Sequence, residues 1–214
     1  MNFKAIIFDL DGTIVNTLPF YIEAYDLTYK YFGFNLTRKQ IINNFPVKLI
    51  DQCQNLGISN RQEEFKRIYL ENTYRIFTKI KLFDGFIETI NFIKTKNIKT
   101  AIVSFAFRDY VDFIVNKFSL KNYFDLIISF NDVKKAKPDP EAVLVVGKKL
   151  KIIPSKIIIV GDAESDMLMG KTAGSKTCLF YPKENHEIYP FEKIKNISAD
   201  FKVELLKEIK KFFK

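Results

Sequence analysis

Cysteine, histidine and arginine are scarce in this 214-residue chain, and each scarcity excludes something. Two cysteines far apart, Cys53 and Cys178, leave room for one disulfide at most and favour a reduced, cytoplasmic protein. Five of the 34 basic residues are Arg, although the net charge is +9 and the pI about 9.3. Nucleic-acid readers lean on Arg for bidentate contacts, so this charge reads as a general lysine bias, and nucleic acid is not an expected partner. A positive field still attracts anionic small molecules. The one histidine, His186, lies in the polar stretch PKENHE and is expected at the surface. No apolar run approaches the roughly 18 residues of a membrane span. The first residues run straight into a strand-like segment carrying two Asp, so a secretory leader is not expected. Repeats, Gly/Ser linkers and low-complexity tracts are missing as well. Hydrophobic residues make up 47%, enough for a real core in one large domain or one domain with an insertion.

Five short apolar runs read as strands, at 4–8, 99–103, 124–128, 156–160 and 176–180. Helical patterns at 86–95, 109–118, 140–150 and 164–173 lie between them; the third starts with Pro140 and the fourth stops at Gly174. This alternation predicts an α/β fold: a Rossmann-like parallel sheet flanked by helices. Residues 17–82 break the rhythm. Phe20, Ala24, Leu27, Thr28 and Tyr31 form a helical stripe, segments 37–44 and 47–56 read as helices, and Asn60 with Glu63 resembles a capping box opening a helix through about Ile80. An all-helical insertion over 17–82 is expected, with 1–16 and 83–214 forming the core. At the end, Leu205, Leu206, Ile209, Phe212 and Phe213 share a helical face, expected to pack on the sheet rather than on a membrane.

The chemistry-bearing residues all follow predicted strands. Asp9 and Asp11 follow the first, Ser104 the second, Lys137 lies in KKAKPDP after the third, and Asp162 and Asp166 follow the fourth in IIIVGDAESD. Ligands of parallel sheets bind at the carboxyl ends of strands, so these groups are expected to converge. Each has a place in phosphoryl transfer. An ionised Asp9 is a competent nucleophile, but an anionic phosphate repels it. A Mg2+ ion held by Asp9 and Asp162 removes much of that repulsion. Gly12 turns the chain, which frees Asp11 for general acid–base work. Ser104 and Lys137 suit phosphoryl oxygens, Lys137 as a point charge. Taken singly, these signals are those of turns, caps and solvated lysines; their order and shared position carry the reading.

With DLDGT at 9–13, Ser104, Lys137 and GDAESD at 161–166, the chain resembles the haloacid dehalogenase-like superfamily of phosphohydrolases over essentially its whole length. The stretches LFDGFIETINFIKTKNIKTAIVS and KPDPEAVLVVGKKLKIIPSKIIIVGDAESDMLMGKTAGSKT resemble its phosphoglycolate phosphatase-type branch. The resemblance implies a helical cap inserted after the first motif and Mg2+-dependent catalysis through an aspartyl-phosphate. It makes Asp9 the nucleophile and Asp11 the acid–base, with the Asp11 backbone carbonyl on the metal. Asp162 becomes a metal ligand and Asp166 a support for the metal shell or for Lys137. Thr13 is more typical of phosphatases than of sugar-phosphate mutases, and Asp11 argues against a dehalogenase.

Three departures lie near the expected leaving-group site: Asn16 where Asp is common, Phe105 where a small polar residue is usual, and NNFPVKL at 43–49 in place of a Gly-bearing loop. Phe20, Phe45, Lys48 and Arg38 are candidate specificity residues; cap core for the aromatics and solvated surface for the cations are the plainer readings. The expected function is a phosphatase for a small phosphomonoester: phosphoglycolate, a sugar phosphate or a nucleotide-like compound. The alternatives are a beta-phosphoglucomutase-like mutase and a non-catalytic basic binding protein. Oligomeric state is not legible.

Overall fold

The computed structural model describes residues 2–45 and 49–213. The chain starts with β1 (Ala5–Phe8) and a short β2 (Val15–Asn16). Four helices follow: α1 (Leu18–Tyr31), α2 (Arg38–Asn44), α3 (Leu49–Asn55) and α4 (Gln62–Ile76). After β3 (Lys81–Leu82) helices and strands alternate: α5 (Phe86–Thr95), β4 (Lys99–Val103), α6 (Arg108–Lys117), β5 (Leu126–Ile128), α7 (Glu141–Leu150) and β6 (Ile157–Gly161). Then come α8 (Glu164–Thr172), β7 (Lys176–Phe180), α9 (Phe191–Ile194), β8 (Phe201–Val203) and a closing 3-10 helix, Leu206–Phe213. The chain divides into two compact units, Met1–Asn16 with Leu82–Lys214, and Thr17–Lys81.

The first unit holds a six-stranded parallel sheet in the order β5-β4-β1-β6-β7-β8. β1 reads AIIF with every residue buried, as a central parallel strand covered on both faces requires. Ala5 and Ile7 face a core shared with Ala101, Ile159 and the α7 residues Ala142, Val143 and Val146. Their neighbour Phe8 meets Phe86 of α5 edge to face at 5.9 Å. The chain passes from β1 towards β4 on one side and from β6 towards β7 on the other, so the carboxyl ends of β1 and β6 form the switch point at which parallel sheets bind ligands.

Among its described residues the second unit is built of helices up to the start of β3. Thr37 caps α2, accepting from the Gln40 N–H while the Gln40 side chain accepts from the Thr37 N–H. Rings fill its interior: Tyr25 stacks on Tyr69 of α4 at 4.4 Å, and Tyr29 packs on Phe65. Segment 46–48, with the expected helix start at 47 and Lys48, lies outside the described residues.

Several expectations need correction. α1 buries Ala24 and Thr28 of the expected stripe, but Leu18, Ile22, Tyr25 and Tyr29 complete the buried face and Tyr31 is 55% exposed, because the rings of α4 choose that face. The turn before α4 is a 3-10 segment, Ser59–Arg61, and Arg61 binds Glu64, so Asn60 and Glu63 form no capping box; α4 ends at Ile76 and a 3-10 turn, Phe77–Lys79, carries the helical stretch to the expected end near Ile80. β8 was not expected; three residues with Lys202 exposed at the centre carry no readable period. His186 is half-buried with its ring stacked on Tyr181 at 4.2 Å, because Tyr181 just beyond β7 offers it an aromatic face. The tail winds as a 3-10 helix that buries Leu206, Ile209, Phe212 and Phe213 as expected; the three-residue period aligns the first three and leaves Leu205 50% exposed. Among the described residues no helix is long and apolar enough to cross a membrane.

The two tail windings differ in a measurable way. An α-helical face would make Leu205 and Ile209 equivalent. With the 3-10 winding, Ile209→Ala costs about 2–5 kcal/mol and Leu205→Ala under about 0.5 kcal/mol, read by urea unfolding.

Candidate active site

The site is built where β1 and β6 end. The Asp9 N–H donates to the Val160 carbonyl at 2.9 Å, one rung beyond the strand, so the sheet itself fixes Asp9. The chain then folds back in a tight turn, with the Gly12 N–H donating to Val15 O and the Ile14 N–H to Leu10 O, both at 2.9 Å. Gly12 has φ +76°, and a Cβ there would stand 2.3 Å from Asp162 Oδ2. Only glycine meets both demands. Thr13 Oγ1 donates to Asp162 Oδ1 at 3.1 Å, which ties the first motif to the last. A Cβ on Gly161 would strike the Asp166 side chain, so a second glycine admits a second carboxylate.

Lys137 closes the cluster. Its Nζ lies 2.5 Å from Asp9 Oδ1 and 2.6 Å from Asp166 Oδ1, and 5.4 Å from the centre of the Phe105 ring. Asp9, Asp162 and Asp166 are buried, and each offers an oxygen within 4.8 Å of the others'. Burial pushes the Asp9 carboxyl up to about 7; Lys137 opposes the rise and Asp166 adds to it. Burial, then the charges of Asp9 and Asp166, hold Asp162 well above the usual carboxylate range. Burial works against the Lys137 charge, yet Asp166 and Asp9 keep its pKa above the ordinary lysine value. Three buried carboxylates thus face one ammonium. An all-oxygen donor set with uncompensated negative charge fits a hard divalent cation.

Ser104 stands buried at the end of β4, beside β1 in the sheet. Its N–H donates to Ile128 O at 2.9 Å, and its Oγ accepts from the Ala106 N–H at 3.2 Å. Asp11 turns elsewhere: Tyr110 of α6 donates its O–H to Asp11 Oδ1 at 2.5 Å. The side-chain cluster is therefore Asp9, Asp162 and Asp166; the metal role expected of Asp11 concerned its backbone carbonyl. In the second unit, Phe20 and Arg38 line a cavity of about 420 Å³ with Glu23, Asp26 and Ile41. Phe45 stacks with Tyr21 at 6.2 Å and meets Tyr25 edge on.

Sequence reasoning missed three residues. Tyr110 is one; it stands in the first turn of α6, beyond the strand-end loop that holds Ser104, where the rule that located Ser104 does not reach. Asn185 is fully buried and donates from Nδ2 to the Gly12 carbonyl at 3.1 Å, pinning the turn. The Tyr189 phenol is held well above its usual range by burial and by the charges of Asp162 and Asp9. The last two come from a loop with no motif.

A family model described as haloacid dehalogenase-like hydrolase matches residues 6–180, and the chain belongs to that family. A phosphorylated carbohydrates phosphatase of Thermotoga maritima is 31% identical over 176 residues, covering 80% of this chain and 82% of that one. Pyrophosphatase PpaX of Oceanobacillus iheyensis is 28% identical over 212 residues, 92% and 96% of the two chains. A phosphoglycolate phosphatase of Aquifex aeolicus is 32% identical over 197 residues, 88% and 91% of the two.

The charge imbalance has a pH signature. A folded pKa of about 7 for Asp9, above its ordinary 3.8, gives stability that is fully present below about pH 4 and lost as pH rises through 7. In chelator-treated protein, the thermal midpoint is expected to fall between pH 5 and 8 more steeply in wild type than in Asp9→Asn. A divalent cation added at pH 8 raises the wild-type midpoint. Parallel slopes in the two proteins would contradict the assignment.

Proposed function

We propose that the chain is a Mg2+-dependent phosphatase that hydrolyses a small phosphomonoester through an aspartyl-phosphate on Asp9. The observation that carries this is the buried Asp9–Lys137–Asp166 arrangement beside Asp162, with Asp11 held apart by Tyr110. Asp9, Asp162 and Asp166 would hold the cation, assisted by the Asp11 carbonyl. Bound there, Mg2+ would neutralise phosphoryl charge and weaken its repulsion of Asp9.

The chain's own groups divide the remaining work. Asp9 attacks phosphorus; an Asp9–phosphorus bond forms as the bond to the leaving oxygen breaks. Asp11 gives that oxygen a proton. Water then attacks phosphorus and passes a proton to Asp11, the bond to Asp9 breaks, and inorganic phosphate leaves. Lys137 and Ser104 bind phosphoryl oxygens, and Thr13 steadies Asp162. In this reading the sheet-bearing unit is catalytic and the helical unit a cap whose Phe20, Phe45 and Lys48 bear on specificity. Relatives named for carbohydrate phosphates, phosphoglycolate and pyrophosphate set the range of leaving groups. Two free, buried cysteines fit a reducing cytoplasm.

A phosphate-release screen over phosphoglycolate, sugar phosphates, nucleotides and pyrophosphate tests the proposal. Release should require Mg2+, and Asp9→Asn should lower it by a factor on the order of 10⁴. Activity surviving in Asp9→Asn overturns the mechanism. Isomerisation of a sugar phosphate without free phosphate would indicate a mutase, and salt-sensitive nucleic-acid binding without release a binding protein.

A further inference from the structure

We infer that Tyr110 is the positioning residue for Asp11 and acts selectively on the departure of poorly leaving groups. The inference rests on the phosphatase reading above. Its O–H donates to Asp11 Oδ1 at 2.5 Å, joining residues 99 positions apart in a partly buried contact. The backbone around Asp11 is already fixed: Gly12 bonds to Val15, and Asn185 holds the Gly12 carbonyl. Those bonds do not orient the carboxyl group. A phenol donor on one oxygen does, by favouring one side-chain rotamer over the others.

The donor is itself held firmly. α6 buries Val111, Ile114 and Val115, so its first turn is anchored to the core. The Arg108 N–H donates to Asn131 Oδ1 at 2.9 Å, and the Phe130 N–H to Ala106 O at 3.0 Å. These bonds strap the segment after β4 to the segment after β5. The two residues just past Ser104, Phe105 and Ala106, have no polar side chain. The hydroxyl that reaches Asp11 therefore comes from the helix rather than from the strand-end loop.

The consequence falls on one step. As the Asp9–phosphorus bond forms and the bond to the leaving oxygen breaks, Asp11 must deliver its proton to that oxygen. A misplaced acid slows this step in proportion to how much the leaving oxygen needs the proton. Nitrophenolate leaves without one; phenolate and alkoxide need it.

The test compares kcat/KM, which covers steps through leaving-group departure, for 4-nitrophenyl phosphate and phenyl phosphate with Mg2+. Tyr110→Phe, which keeps the ring, should lose about tenfold on phenyl phosphate and under about twofold on 4-nitrophenyl phosphate. In an Asp11→Asn background the same substitution should add no further loss. Equal loss on both substrates, no loss on either, or full additivity with Asp11→Asn overturns the inference. The thermal midpoint of each variant reports folding independently. Persistence of activity in Asp9→Asn sinks the phosphatase reading instead, whatever Tyr110 does.

Discussion

The Lys137 ammonium, set between the carboxylates of Asp9 and Asp166, is the interaction on which the site depends. A buried carboxylate is costly without a partner, and here three crowd together within 4.8 Å. One ammonium cannot neutralise all three. The remainder appears as the raised pKa values of Asp9 and Asp162, driven first by burial. The fold thus holds the carboxylates in an arrangement that a cation or an ordered proton must complete. In the proposed mechanism that tension suits Asp9: a nucleophile that must meet an anionic phosphate is best kept where its charge is already being managed.

Close approach is the second constraint. Gly12 and Gly161 leave out the side chains that would collide with Asp162 and Asp166, so backbone and carboxylate share space no other residue would grant. The parallel sheet supplies the rigidity behind this. β1 lies between β4 and β6, and the ladder continues to Asp9 itself. Groups more than a hundred residues apart, such as Thr13 and Asp162, meet at hydrogen-bonding distance because neighbouring parallel strands end at the same edge. Asp11, two residues past Asp9, escapes the cluster because the Gly12 turn has taken it off the strand. Its carboxyl accepts from the Tyr110 phenol while that of Asp9 meets the Lys137 ammonium, and two neighbouring aspartates acquire different partners from one short turn.

Much of this was legible in the chain. Fully buried parallel strands are short apolar runs, and β4 and β7 occupy the residues that such runs marked. The helices of the core announced themselves by Pro140 at a start and Gly174 at a stop. The insertion was legible as helical but only partly in its facing: Ala24 and Thr28 are buried as expected, but α1 carries aromatic and apolar residues on more than one side, and stacking with Tyr69 selects among them. β8 was too short to show alternation, and in the tail only Leu205 was misplaced, because an apolar spacing of three and four suits either winding until the packing partner is known.

By itself, the sequence determined the strand-bearing core, the helical insertion and which chemical groups stand at strand ends. These follow from local apolar periodicity and from turn residues next to the strands that they end. Only the tertiary structure decided that Lys137 joins Asp9 to Asp166, that Asn185 clamps Gly12, and that Tyr110 holds Asp11. The last two contacts span 173 and 99 residues and involve ordinary side chains in no motif. Hydrogen bonds of that kind leave no periodic trace in the chain; they exist only once the sheet has brought its strand ends to one edge.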